Sequence, residues 1–245
     1  MKNSYQKDSF IGLSHRGNSK KFIENSFEAF SSVIQMGFKY IETDLRMTLD
    51  REVIAFHDED LKRLFNLDLQ VRDLTFNEIA NLFKENKCKL LTLEGALKNF
   101  PETNFNIDLK TKEVIENSIE VIADLNAFER VCFASFHSSH TKKVLQQNLN
   151  AIVSMGMKDV ALFKFFKLYN KKIKVIQIPI KWNGFKILTN NLIQEAHKKN
   201  LLVHVWTIND RKIMNNLIDI GANGIVTDEP ELLMEIMKER DLISY

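Results

Sequence analysis

An α/β fold of the TIM (β/α)8 barrel type is predicted here by three observations. Short apolar runs alternate with helical patterns along nearly the whole chain, the runs number close to eight, and neither G-x-G-x-x-G nor G-x-x-x-x-G-K-[ST] occurs to support the rival doubly wound sheet. The strand candidates are Phe10–His15, Lys39–Arg46, Val53–His57, Thr103–Lys110, Val131–Phe136, Asn150–Met155, Lys174–Pro179, Leu201–Thr207 and Gly224–Thr227. Amphipathic helices follow most of them, over Ser26–Met36, Lys112–Phe128, Ser138–Gln147, Asn190–Lys199, Arg211–Ile220 and Pro230–Arg240. Asn209 and Asp228 fit N-caps, Pro230 and Glu231 fit a first helical turn, and Gly37 and Gly221 fit C′ positions. One run is surplus. Val53–His57 follows the turn-like Thr48–Arg51 and reads as a hairpin partner of the strand before it. Residues 59–103 then form a small insertion of weak periodicity after the second barrel strand, within a single domain spanning 1–245; Leu93–Phe100 is its clearest helical piece.

Composition narrows the function classes. Lys+Arg 34 against Asp+Glu 32 leaves a net charge of +2, so overall charge suggests neither nucleic-acid nor membrane-surface binding. Cys88 and Cys132 are too few for a disulfide framework or a cysteine-built zinc site. The opening residues are too polar for a signal peptide, and no run approaches the ~20 apolar residues of a membrane span. A cytoplasmic, soluble, single-chain protein is expected. Oligomeric state is not written in the composition.

Strand alternation groups the chemistry. In Lys39–Arg46, Glu42, Asp44 and Arg46 share one face with Tyr40; in Thr103–Lys110, Asn106, Asp108 and Lys110 share one face. A barrel's helix-facing side is apolar, so these polar sets point into the mouth at the strands' C-terminal ends, where barrel active sites are built. Glu42, Asp44 and Asp108 would repel one another there unless their pKa values rise or a cation neutralises them. An all-oxygen set suits Mg²⁺ or Ca²⁺. The plainer alternative is that Glu42 and Asp44 pair with Arg46 and Lys110 as rim charges. His15 and His57 end strands, positions from which a histidine can move protons near neutral pH, and Arg16 can grip phosphate with a forked pair of hydrogen bonds. His137, His140, His197 and His204 read as structural. The run Phe163–Tyr169, with bases between its aromatics, reads as an amphipathic barrel helix.

Taken in order, the pieces are specific. Ser14-His15-Arg16-Gly17, Glu24-Asn25-Ser26, Ile41-Glu42-Thr43-Asp44, Thr48-Leu-Asp50 and His57-Asp58-x-x-Leu61-x-Arg63 come first. Leu93-Glu94, Asn106-Ile-Asp108-Leu-Lys110, Ala134-Ser135-Phe136, Trp206-Thr207-Ile-Asn209 and Gly221-x-x-Gly224-Ile-Val-Thr227-Asp228 follow. From about Phe10 to Leu233 this resembles the glycerophosphodiester phosphodiesterase family. The resemblance implies a TIM barrel with an insertion between its second and third strands. It implies His15 and His57 as an acid–base pair, Arg16 and Lys110 as phosphate ligands, Trp206 in the substrate pocket, and Glu42, Asp44 and Asp108 around one divalent cation, Mg²⁺ or Ca²⁺. The implied reaction is hydrolysis of glycerophosphodiesters to glycerol 3-phosphate and an alcohol such as choline or ethanolamine. This chain has Asp108 where the family usually has Glu, Ile23 where Pro is common, Arg51 where Gly is common and Asn223 where Asp is frequent. Two other readings stand beside it. One is a lysophospholipase D-type diesterase, with Leu64, Phe65, Leu67 and Leu69 as an apolar rim; the other is a non-catalytic barrel that binds a phosphorylated ligand.

Overall fold

Alternate residues of each central strand meet different cores, which is why these segments extend and close on one another. The computed structural model describes Tyr5 and residues 9–243, so most of the polar opening stretch lies outside the described residues. Its strands are β1 (Ile11–His15), β2 (Tyr40–Met47), β3 (Val53–Ala55), β4 (Asn104–Leu109), β5 (Val131–Ala134), β6 (Ile152–Val153), β7 (Val175–Ile178), β8 (Lys181–Trp182), β9 (Phe185–Lys186), β10 (Leu202–Val205) and β11 (Gly224–Thr227). Among the described residues, eight of them pair in parallel in the cyclic order β1-β2-β4-β5-β6-β7-β10-β11, with β11 returning to β1. The β6–β7 seam is thin, a single bridge between Ser154 and Val175 with the Met155 N–H donating to the Val175 carbonyl at 2.9 Å. The surplus strand β3 lies antiparallel on β2, as the hairpin reading expects.

Helices return the chain on the outside: α1 (Phe27–Gln35), α2 (Lys62–Phe65), α3 (Phe76–Glu85), α4 (Leu93–Asn99), α5 (Val114–Asp124), α6 (Ser138–Gln147), α7 (Met157–Phe166), α8 (Asn190–His197), α9 (Arg211–Asp219) and α10 (Pro230–Glu239). Ile41, Leu45, Phe105, Ile107 and Leu109 pack outward against them in the main core. Ile11, Leu13, Tyr40, Cys132, Ile152, Val175 and Val226 fill the barrel interior with Tyr5, whose ring stands edge-on to Tyr40 at 5.4 Å. The lower interior is therefore closed by apolar side chains, and the polar residues gather at the upper end.

The 59–103 stretch divides between two cores. Leu93, Ala96 and Leu97 of α4 belong to the main core, whereas Leu61, Val71, Ile79, Phe83 and Leu90 form a satellite cluster with Ile54 and Phe56. Leu64, Phe65 and Leu67 pack against that satellite and are not a rim; of the four proposed rim residues only Leu69 is exposed. Helix α3 has no counterpart in the periodicity. It is fixed locally, by a capping box in which the Thr75 hydroxyl accepts from Glu78 N–H and the Thr75 N–H donates to Glu78.

Several boundaries and caps differ from expectation. The helix expected over Lys112–Phe128 ends at Asp124, because Asn126 takes a left-handed conformation (φ 52°) and turns the chain toward β5. Asp210, not Asn209, caps α9 by accepting from the Ile213 N–H. Asp228 does not cap α10 either; its carboxylate points into the barrel mouth. The run Phe163–Tyr169 is not an amphipathic helix. Helix α7 ends at Phe166 with Lys167 left-handed, buries Val160 and Phe163, and leaves Phe165 and Phe166 exposed.

Candidate active site

Backbone register assembles the site before any side chain is considered. His15 pairs in register with Glu42, Asp44 with Asp108, and Ser14 with Thr227, so the residues one step beyond these pairs also adjoin. Gly17 lets the loop after β1 press on α1, since a Cβ there would lie 2.7 Å from the Ala29 backbone, and Arg16 is held left-handed at φ 60° just before it. All eight residues singled out in the sequence line one cavity of about 830 Å³: His15, Arg16, Glu42, Asp44, His57, Asp108, Lys110 and Trp206. That figure takes in the open mouth; the space enclosed is about 200 Å³.

Each histidine is tethered at Nδ1. His15 donates to Asp228 Oδ1 at 2.6 Å, and His57 donates to Asp58 Oδ1 at 2.7 Å. A carboxylate only accepts, so the proton sits on Nδ1 and Nε2 is the unprotonated nitrogen of each neutral ring. Burial works against charge on His15, but the Asp228 bond and the negative field of Glu42 outweigh it and raise its pKa. Burial lowers His57, helped by Lys110 and Arg16, against the opposing pull of Asp44. The two rings are thus pushed in opposite directions.

Asp228 is itself oriented. The Asn209 amide donates to Asp228 Oδ2 at 2.9 Å, while the Asn209 carbonyl oxygen accepts from the Asp228 N–H at 2.9 Å and the Thr227 hydroxyl at 3.1 Å. On the other side, Arg63 donates to Asp58 at 2.6 Å and clasps both oxygens of Glu24 at 2.9 and 2.6 Å; Glu24 also accepts from Arg16 at 3.0 Å. Sequence reasoning placed none of Asp228, Asn209 and Asp58 among the functional residues. Asp58 adjoins His57 in the chain, and that adjacency was the available signal.

The carboxylates differ in their partners. Asp44 is buried, yet Lys110 at 2.7 Å and Arg16 at 3.0 Å overcome the cost of burial and hold its carboxyl below the usual range. Lys110 also contacts Asp108 at 2.6 Å, and its own pKa is raised because these two carboxylates outweigh its burial. Glu42 is the exception: burial, with Asp44 beside it, pushes it up to about 8, and its Oε2 has no hydrogen-bond partner, His15 Nε2 standing 3.7 Å away. Opposite this charged wall the cavity is aromatic. The rings of Phe136 and Trp206 meet at 5.6 Å, and Trp182 of β8 leans on both at 5.5 and 6.2 Å.

The set of three carboxylates suits a hard cation by donor chemistry, and Glu42 Oε2, buried without a hydrogen-bond partner, is the donor atom left open for one. Among the described residues no three such side chains already surround one point. Lys110 stands between Asp44 and Asp108 in their place.

The chain is a TIM barrel with its polar cavity at the C-terminal ends of the strands. The chain belongs to the glycerophosphoryl diester phosphodiesterase family, whose model matches residues 15–232, and is a phosphoric diester hydrolase of that class. It is 27% identical over 241 residues to a probable glycerophosphodiester phosphodiesterase of Mycobacterium tuberculosis, covering 94% of this chain and 91% of that protein. The crystal structure of the Thermotoga maritima glycerophosphodiester phosphodiesterase is 27% identical, with a TM-score of 0.74 over 93% of this chain and 98% of that one. An Oleispira antarctica phosphodiesterase solved with its product sn-glycerol-3-phosphate shares the fold at 17% identity, with a TM-score of 0.76 over 94% and 96% of the two chains. Among the described residues no helix is long and apolar enough to cross a membrane.

Proposed function

We propose that this enzyme hydrolyses water-soluble glycerophosphodiesters, glycerophosphocholine and glycerophosphoethanolamine among them, to glycerol 3-phosphate and the free alcohol. The observation that carries this reading is the pair of imidazoles, each tethered through Nδ1 and lining one cavity with two part-buried cations, Arg16 and Lys110. A diester phosphate bears one negative charge, and its hydrolysis needs that charge offset, a nucleophile deprotonated and a leaving oxygen protonated.

The residues divide these tasks. Arg16 and Lys110 bind the non-bridging oxygens and keep fixed positive charge against them as the transition state gathers negative charge. The Nε2 of one histidine takes the proton from the attacking hydroxyl, which belongs to water or to the neighbouring glycerol carbon. The Nε2 of the other gives a proton to the departing alcohol. Asp228 and Asp58 hold the rings in the tautomer that leaves Nε2 free. Trp206 and Phe136 form an apolar wall against the carbon skeleton of the substrate.

Glu42, Asp44 and Asp108 would hold one divalent cation, Mg²⁺ or Ca²⁺, with Lys110 released to the phosphate. Such an ion, when bound, supplies Lewis-acid charge to a phosphate oxygen.

The test measures glycerol 3-phosphate released from a panel of glycerophosphodiesters, with and without chelator, for wild type, His15→Ala and His57→Ala. A p-nitrophenyl phosphodiester, whose leaving group needs no proton, is run in parallel. Chelator-sensitive release that both substitutions abolish is expected. Recovery of one variant on the nitrophenyl substrate identifies the histidine that serves as acid. Release of equal rate from all three proteins would remove the histidines from the mechanism, and release only from lysophospholipids would move the substrate to that class.

A further inference from the structure

A globular protein ordinarily covers an aromatic pair at the end of a helix, and α7 does not. Phe165 and Phe166 are 72% and 67% exposed, with Leu162 and Leu168 exposed beside them. The β8–β9 hairpin continues the patch with Phe185, 75% exposed. It is joined to α7 where the Lys164 ammonium donates to the Lys186 carbonyl. The hairpin also reaches the active-site mouth, since Trp182 packs on Phe136 and Trp206. One flank of the barrel, from the end of α7 up to the rim of the cavity, is therefore apolar and open.

Charge on the same stretch says what covers it. Residues 157–187 carry eight lysines and one acidic residue, Asp159, in a chain whose net charge is +2. The remainder of the protein is thus net negative, and this stretch has a local excess of basic over acidic residues. Lys158, Lys171, Lys172, Lys174, Lys181 and Lys186 are all exposed. A second copy meeting this flank through the same flank would bring like charge against like charge. A partner for this flank has to be anionic and also has to accept phenyl rings and leucines, a combination offered by the interface of a bilayer with acidic headgroups.

We propose that the α7 and β8–β9 flank is a docking surface for anionic phospholipid bilayers. The phenylalanines enter the headgroup region and the lysines meet the lipid phosphates, and the hairpin brings the cavity rim to the membrane. The proposal goes beyond the diesterase reading and does not depend on which head group is cleaved.

Flotation of the full chain with vesicles tests it, comparing equal parts phosphatidylglycerol and phosphatidylcholine with phosphatidylcholine alone. Wild type is expected to float with the anionic vesicles at low salt, to be released by added salt, and to stay behind with the neutral ones. Phe165→Ser/Phe166→Ser/Phe185→Ser is expected to lose at least about tenfold in partitioning, since each phenyl ring contributes by burial. Lys171→Glu/Lys172→Glu/Lys181→Glu is expected to lose a comparable amount without touching the apolar residues. Both variants should keep wild-type turnover of a soluble diester, which shows that they fold. The proposal is overturned if wild type ignores anionic vesicles, if the serine variant floats as wild type does, or if the patch proves to hold a dimer or nucleic acid in place of lipid. Failure of turnover in wild type would bear on the substrate reading alone.

Discussion

Replacing Asp228 by Asn should damage this enzyme more than replacing it by Ala, and the reason lies in Asn209. The Asn209 carbonyl oxygen is committed to the Asp228 N–H and the Thr227 hydroxyl, so its amide must donate to the side chain at position 228. An asparagine there would turn its oxygen to Asn209 and its NH₂ to His15 Nδ1. That donor demands the opposite tautomer, with the proton on Nε2. Asp228→Ala removes one charge-assisted hydrogen bond, about 1.5–3 kcal/mol, and should lower kcat roughly ten- to a hundredfold. Asp228→Asn adds the cost of displacing one neutral hydrogen bond, about 1 kcal/mol, for a further several-fold loss. Steady-state kinetics on a soluble glycerophosphodiester would show both losses in kcat, with KM little changed. Because Asp228 raises the His15 pKa, the pH limb that reports His15 should move to lower pH in Asp228→Ala. The double variant Asn209→Ala/Asp228→Asn frees the amide to flip and should recover part of the activity. An Asp228→Asn enzyme as active as wild type, or a double variant worse than Asp228→Asn alone, would refute the tautomer argument.

Three other outcomes follow from features of the fold. Arg51 lies at φ 67° in the exposed β2–β3 turn, so Arg51→Gly relieves left-handed strain that outweighs the added chain entropy; thermal melts should show a gain of about 0.5 kcal/mol, and a fall in Tm would count against it. His204 is buried in the barrel, where burial pushes its pKa from 6.5 down to about 3. Between those values the unfolded chain binds a proton that the folded chain refuses, so stability falls as pH drops through the window, by up to about 1.4 kcal/mol per unit; His204→Leu should flatten this limb in acid urea titrations, and an unchanged limb would exclude His204 as its source. Added Mg²⁺ or Ca²⁺ should raise the Tm of wild type and leave Glu42→Gln unmoved, whereas an equal rise in both would place the cation elsewhere.

How much of this was legible in the sequence depends on the range of the signal. Period-two alternation in β2 and β4 put Glu42, Asp44, Asp108 and Lys110 on one side, and the structure has them lining one cavity. The cap residues read less well, because Asn209 and Asp228 satisfy the local chemistry of an N-cap while their side chains are taken by partners far away in the chain. The closed barrel supplies what local reading lacks: if β11 lies beside β1, the residue after Thr227 lies beside the residue after Ser14. Helix α3 was missed for the opposite reason. Its apolar face serves a separate cluster and its period is weak, although Thr75-Phe-Asn-Glu78 carried the capping signal in plain sight. The exposed rings of α7 had no legible counterpart, since periodicity predicts which face is apolar and not whether anything covers it.

The bond between His15 and Asp228 joins residues 213 positions apart, nearly the full span of the chain. Synthesis proceeds from the N-terminus, so a ribosome-bound chain holds His15, His57 and Lys110 well before Asp228 exists. The loop that must close is also among the longest the chain can form, which places this contact late on entropic grounds. On the proposed role of Asp228, full activity is therefore acquired only when β11 docks on β1.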